Sequence, residues 1–257
     1  MKVTSLLVAG ALATAMISPS VMADNTISPD QQKQIEKIVH DYLIANPEVL
    51  VEVSQALQQK QQQDMQSQAK GAIIENINEL ISGKVAVVGN PKGNVTMVEF
   101  FDYQCIHCKK MAPVINALLK QDKNLKVVYK EFPIFGKSSE VASRAALAAG
   151  MQGKYQQMHD ALINIEKHLD DKIVMDTAKS IGLNVTKLQK DMDSKEVTDQ
   201  LEANRKLAEK MHLMGTPAFV IAATPAGQFS NKVEPAFIPG AASEEVLQDL
   251  IKKASGQ

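Results

Sequence analysis

Tryptophan is absent from this chain, and cysteine occurs only twice in 257 residues, at Cys105 and Cys108. Two cysteines cannot build the framework of several disulfides on which small secreted domains rely. Nor do they make a four-thiolate zinc site, and the remaining histidines, His40, His159, His168 and His212, show no ligand spacing around them. An excess of one charge is missing as well: 28 basic side chains stand against 29 acidic ones, a formal charge of −1. That balance gives no attraction to nucleic acid or to an anionic membrane surface. With no Trp and four Tyr, intrinsic fluorescence is a poor reporter of the redox state of the cysteines. Beyond the first residues, no apolar run is long enough to cross a bilayer.

The first residues are the exception. Lys2 is followed by an apolar run from Leu6 to Ile17 and then by Ser18-Pro19-Ser20-Val21-Met22-Ala23. A charged start, an apolar core too short to span and a Val-x-Ala ending read as a secretory signal over residues 1–23, cleaved after Ala23. A retained anchor is the competing reading, which the helix breaker Pro19 and the small Ala23 speak against. Export places the cysteines in an oxidising compartment, where a single pair in a long chain points to chemistry more than to a structural framework.

What the sequence does hold is Cys105-Ile106-His107-Cys108 at a junction. Val95-Thr96-Met97-Val98-Glu99-Phe100-Phe101 upstream is β-prone, and downstream Met111, Val114, Ile115, Leu118 and Leu119 recur at helical spacing. A thiol at a helix N-terminus meets free backbone N–H groups and the positive end of the helix dipole, so Cys105 should ionise easily and act as nucleophile. Cys108, one turn on, lies within disulfide reach and is the expected resolving thiol. His107 between them can favour the Cys105 thiolate. A purely structural disulfide competes, but a bridge closing so short a loop restrains the unfolded chain little.

Around this motif the chain divides. Residues 24–84 read as a helical extension. Ser28-Pro29 opens a helix with an Ile35, Ile38, Val39, Tyr42, Leu43 stripe, and Asn46-Pro47 restarts a second helix with Asn46 as N-cap. Its stripe of Val49, Leu50, Val53 and Leu57 gives way to a glutamine-rich stretch and then to Ile73, Ile74, Ile77, Leu80 and Ile81. Such stripes need a cover, and self-association through residues 24–84 is favoured over docking on the chain's own core. The extension should therefore come off without unfolding the rest. From residue 85 on, strand, helix and strand form a βαβ unit ending at Phe132-Pro133. Helical patterns fill about 138–214, after which Gly215-Thr216-Pro217 opens the strand Ala218-Phe219-Val220-Ile221-Ala222. The sequence alone makes an ordinary trans proline the default for Pro217, since only about 5–6% of X-Pro bonds in folded proteins are cis.

The run Val98 to Cys108, the helical block after the second strand and Gly215-Thr216-Pro217-Ala218-Phe219 together resemble the DsbA group of thiol oxidoreductases. The likeness implies an α/β thioredoxin fold with an inserted helical domain over residues 85–257. Residues 24–84 resemble the N-terminal oligomerisation extension of a dimeric or trimeric subgroup, some of whose members are surface antigens associated with the outer membrane. By this resemblance Cys105 and Cys108 form the redox-active disulfide, with His107 as thiolate stabiliser. Thr216 and Pro217 form a cis-proline loop offering backbone to a substrate strand, and Glu99 is a buried acid that takes a proton from Cys108; an edge-strand charge is the plain alternative for Glu99. Ile106 departs from the group's best-known member, which has proline there, so the resemblance does not carry its reduction potential over.

The reading is then a periplasmic oxidoreductase that forms or isomerises disulfides in unfolded or misoxidised exported proteins, with no cofactor or metal. A membrane oxidase of the DsbB kind or a reductase of the DsbD kind would reset it. The competing reading is an envelope protein that keeps the fold for interaction and carries a non-catalytic disulfide.

Overall fold

The computed structural model describes residues 28–83 and 85–256, so the expected signal sequence lies outside the described residues. The chain divides into two compact units between Leu57 and Gln58.

In the first unit, helix α1 (Pro29–Ala45) opens on a capping box. Ser28 Oγ accepts from the Gln31 N–H at 3.3 Å and Gln31 Oε1 accepts from the Ser28 N–H at 3.0 Å. Asn46 does not cap the following helix as the sequence suggested. Its backbone N–H and its side-chain amide both donate to Tyr42 O, closing α1 instead. α1 buries none of its residues: Ile35, Ile38, Val39 and Tyr42 are all exposed. Helix α2 (Glu48–Glu75) follows, and its first turns also leave Leu50, Val53 and Leu57 exposed.

The second unit is built on a five-stranded sheet in the order β1-β3-β2-β4-β5, formed by β1 (Val87–Gly89), β2 (Val95–Phe101), β3 (Leu125–Glu131), β4 (Ala218–Ala223) and β5 (Ala236–Ile238). Helix α4 (Ile106–Gln121) crosses from β2 to β3 and makes that pair parallel, as the βαβ reading requires; the other pairs are antiparallel. Helices α5 (Lys137–Gly150), α6 (Tyr155–Ile163), α7 (Asp171–Ser180), α8 (Val185–Met192) and α9 (Lys195–Lys210) form the insertion before β4, and α10 (Glu244–Ser255) ends the unit.

Alternation along β2 and β3 sorts the core into two layers. Met97, Phe101, Val127 and Tyr129 join Met111, Ile115 and Leu118 of α4 and the inserted helices on one face. Val98, Phe100 and Val128 face the other way, against Ile73 of α2, Leu207 and Ala208 of α9, and Ile77, Leu80 and Ile81 of helix α3 (Ile77–Ile81). Two lysines on this second face hold α3 down. Lys126 Nζ donates to Ile81 O at 3.0 Å, and Lys130 Nζ donates to Glu79 O and Ser82 O at 2.9 Å each. They supply the partners that the last carbonyls of a helix lack. The stretch from Ala69 to Ile81 is thus core of this unit, and only the earlier part of the expected 24–84 extension keeps a bare apolar stripe.

Candidate active site

β2 ends at Phe101, and the turn Asp102-Tyr103-Gln104 delivers Cys105 to the N-cap of α4. Cys105 keeps extended backbone (φ −74°, ψ 115°), its N–H donates to Asp102 O at 3.1 Å, and its Sγ accepts from the Cys108 N–H at 3.4 Å. The turn is held by the Asp102 carboxylate, which is fully buried and takes four hydrogen bonds. Gln104 N (2.6 Å) and Ser139 Oγ (2.7 Å) donate to Oδ1; Ile134 N (2.7 Å) and Phe135 N (3.0 Å) donate to Oδ2. Asp102 therefore ties the cysteine turn to the loop between β3 and α5. Sequence reasoning passed over it, although an Asp opening a turn two residues before a free N–H is a recognisable signal.

Across from this turn the Thr216–Pro217 peptide is cis, and the Cys105 thiol donates to Thr216 O at 3.2 Å. Pro217 precedes β4, whose Ala218 pairs with Phe100, so the two loops meet at one end of the sheet. The Thr216 hydroxyl is buried there without a partner. Beside it runs an apolar groove of about 470 Å³ lined by Met211, Leu213, Met214, Pro217 and Phe237, with Gln61 of α2 on its wall. Ile106, Ile134, Phe135 and Met214 add exposed apolar surface around the two loops.

The two thiols are held in opposite electrostatic states. Both are free, and both are buried. The Cys105 thiol is lowered from 9.0 to about 5: the hydrogen bond from the Cys108 thiol contributes most, burial opposes it, and the backbone N–H groups of Cys108 and His107 add to the lowering. Cys108 is pushed far upward, first by burial, then by its hydrogen bond to Cys105 and by the nearby Glu99 carboxyl. At pH 7 the lowered Cys105 pKa keeps that sulfur a thiolate and so favours the reduced form, the direction of an oxidising couple.

Glu99 lies in the central strand β2, not at an edge, and is buried. Its carboxyl is raised well above the ordinary range by burial first, then by the charges of Cys105 and Glu131. His107 sits exposed on the first turn of α4, and what it contributes to Cys105 is its backbone N–H. Among the described residues, no group of three or more His, Cys, Asp or Glu is placed to hold a metal ion. A further buried cluster, absent from the sequence reading, centres on Glu131, whose Oε1 accepts from Tyr103 (3.1 Å) and Tyr155 (2.8 Å), with His159 Nδ1 at 3.2 Å from the Tyr103 hydroxyl.

Residues 96–252 match the DSBA-like thioredoxin domain, and residues 31–64 match the Copper resistance protein ScsC N-terminal domain. BcfH of Salmonella enterica Typhimurium is 33% identical with a TM-score of 0.72, over 88% of this chain and 97% of that structure. A thioredoxin-like oxidoreductase from Silicibacter pomeroyi DSS-3 is 37% identical with a TM-score of 0.63, over 70% of this chain and 98% of that structure. The thiol:disulfide interchange protein DsbA of Bordetella parapertussis is 31% identical over 133 residues, 50% of this chain and 64% of that protein. The chain spans 21% of the length of the first curated relatives that it matches.

Proposed function

The chain belongs to the DSBA-like thioredoxin domain family, and from that premise we propose that it is a protein disulfide oxidoreductase using Cys105 and Cys108 through a mixed disulfide. The observation that carries this reading is the asymmetry of the two thiols: Cys105 at the helix N-cap, 3.2 Å from Thr216 O and lowered to about 5, with Cys108 buried behind it and raised.

In the oxidised enzyme a client thiolate attacks Cys105 Sγ, and the Cys105–Cys108 bond breaks. Cys108 leaves as a thiolate and takes the proton that Glu99 holds. A second client thiolate then attacks the client sulfur of the mixed disulfide, and Cys105 departs as a thiolate, a good leaving group at its lowered pKa. The client gains one disulfide and the enzyme keeps two reduced sulfurs. In isomerisation the reduced enzyme begins: the Cys105 thiolate attacks a client disulfide and frees a client thiolate, that thiolate attacks another client disulfide, and a client thiolate finally attacks the client sulfur of the mixed disulfide to release Cys105, with no net electron transfer. Thr216 and Pro217 present backbone to the client strand, and the adjoining groove accepts its apolar side chains.

The setting is periplasmic, after removal of residues 1–23, and the clients are exported proteins still lacking or mispairing disulfides. A membrane oxidase or reductase resets the pair. The exposed stripe of α1 supports self-association, in which two sites facing one space suit isomerisation. The test uses Cys105→Ala and Cys108→Ala in the full chain, incubated with a client that carries mispaired disulfides and resolved without reductant. Cys108→Ala should accumulate mixed disulfides while Cys105→Ala forms none and loses all activity. Equal trapping by both variants would overturn the assignment of roles.

A further inference from the structure

Glu131 has no part in the reaction as described, yet it is an acid wholly enclosed in the unit. It ends β3 with no exposed surface, and its environment comes from every element around it. Tyr103 from the cysteine turn and Tyr155 from α6 donate to Oε1, and His159 of α6 contacts Tyr103. Asn204 of α9 donates to its backbone oxygen at 3.1 Å. Asp102 faces it from the turn, and Tyr129 lies two residues back on its own strand. Its Oε2 is buried without a partner, as is the hydroxyl of Ser143 from α5. No cation is among these groups, so a charge on Glu131 is stabilised by hydrogen bonds alone.

The register places Glu131 next to Glu99. Glu99 pairs with Tyr129 and Phe101 pairs with Glu131 on adjacent parallel strands, so both carboxyls point to the same face, one diagonal step apart. Strand spacing and rise put that step at roughly 8 Å. Two carboxyls on one face with their Cα atoms this close, in a dry interior, resist ionising together.

We propose that Glu131 and Glu99 are a coupled pair of buried acids that do not ionise together, in which Glu131 sets how readily Glu99 exchanges a proton with Cys108. The inference rests on the reading of Glu99 as the proton partner of Cys108. In the step Glu99–COOH + Cys108–S⁻ → Glu99–COO⁻ + Cys108–SH, the new charge on Glu99 forms more easily while Glu131 is neutral. The raised Glu131 carboxyl, brought by burial to about 8 against the nearby Ser143 hydroxyl and the opposing hydrogen bonds of Tyr155 and Tyr103, keeps it neutral at pH 7. Above that the ionised Glu131 holds the proton on Glu99. Glu131 touches neither sulfur and acts only through Glu99.

The test is the pH dependence, from 5 to 10, of the single-turnover rate at which Cys108 resolves a preformed mixed disulfide on Cys105. It is measured for the full chain, Glu131→Gln, Glu99→Gln and Tyr155→Phe. Glutamine keeps the acceptor for both tyrosines and brings a donor to the bare Ser143 hydroxyl. The wild type should titrate in two steps; Glu131→Gln should show one, with its midpoint about one pH unit lower. Tyr155→Phe removes a donor to the ionised form and should move the upper step higher, so it serves if Glu131→Gln does not fold. If Glu99→Gln alters the profile while Glu131→Gln and Tyr155→Phe superimpose on wild type, the coupling is overturned and the Glu99 reading stands. If Glu99→Gln superimposes on wild type, the Glu99 reading itself fails and the coupling falls with it.

Discussion

The stripe on α1 and the stripe running through the end of α2 into α3 have the same grammar, isoleucine and leucine at helical spacing beside charged residues, and opposite fates. Ile38 is 67% exposed, whereas Leu80 is fully buried. The difference lies in what the rest of the chain offers each one. β2, β3 and β4 present Val98, Phe100, Val128 and Val220 to α3, and Lys126 and Lys130 rise from the same face to take its terminal carbonyls. Nothing described offers α1 such a face within its own unit. Periodicity announces that a helix has an apolar side; only a complementary surface decides whether that side is already satisfied or awaits another chain.

The comparison breaks most visibly under truncation. Removing residues 24–57 should leave a folded, redox-active protein, while removing residues 24–84 should abolish cooperative unfolding and expose apolar surface, since the sheet loses Ile73, Ile77, Leu80 and Ile81 together. Circular dichroism melting and dye binding separate the two. Two folded products of equal stability would show that the buried stripe is dispensable, as the sequence by itself suggested.

Single residues sharpen it further. Leu80→Ala should destabilise the chain by about 2–5 kcal/mol in urea titration. Ile38→Ala should leave the stability of the second unit unchanged and act on sedimentation instead, lowering any self-association. The last test concerns the latch. Lys130→Met leaves two carbonyls without their donor, for a loss of about 1–3 kcal/mol at pH 7. Burial also lowers the Lys130 amine from 10.5 to about 8, so between these values the unfolded chain binds more protons than the folded one. Wild-type stability should therefore gain a contribution as pH rises through that window, up to about 3 kcal/mol. Lys130→Met should lack it, and a parallel pH profile for both proteins would remove Lys130 from the latch.

The contrast recurs at the active site. The Cys105-to-Cys108 motif was legible because its chemistry is local: a helix N-terminus, two thiols one turn apart, a strand leading in. Glu99 and the Thr216–Pro217 loop could be named only by resemblance, because their neighbours lie far away in sequence; Cys105 and Thr216 are 111 residues apart. Asp102 and Glu131 went unread. An aspartate in a turn and a glutamate at the end of a strand look like ordinary surface residues until the insertion closes over them. Asn46 was misplaced because the same side chain can cap the helix before it or the helix after it, and only the backbone path shows which.

The sequence by itself determined the class of fold, the strand–helix–strand order and the family, because each rests on spacing within a few residues or on motifs that survive without neighbours. The tertiary structure alone decided where the extension ends and the core begins, that Glu99 stands in the central strand beside a second acid, and that the Thr216–Pro217 loop lies against Cys105. Those facts follow from burial, and burial depends on which distant segments share a face, something no local pattern encodes.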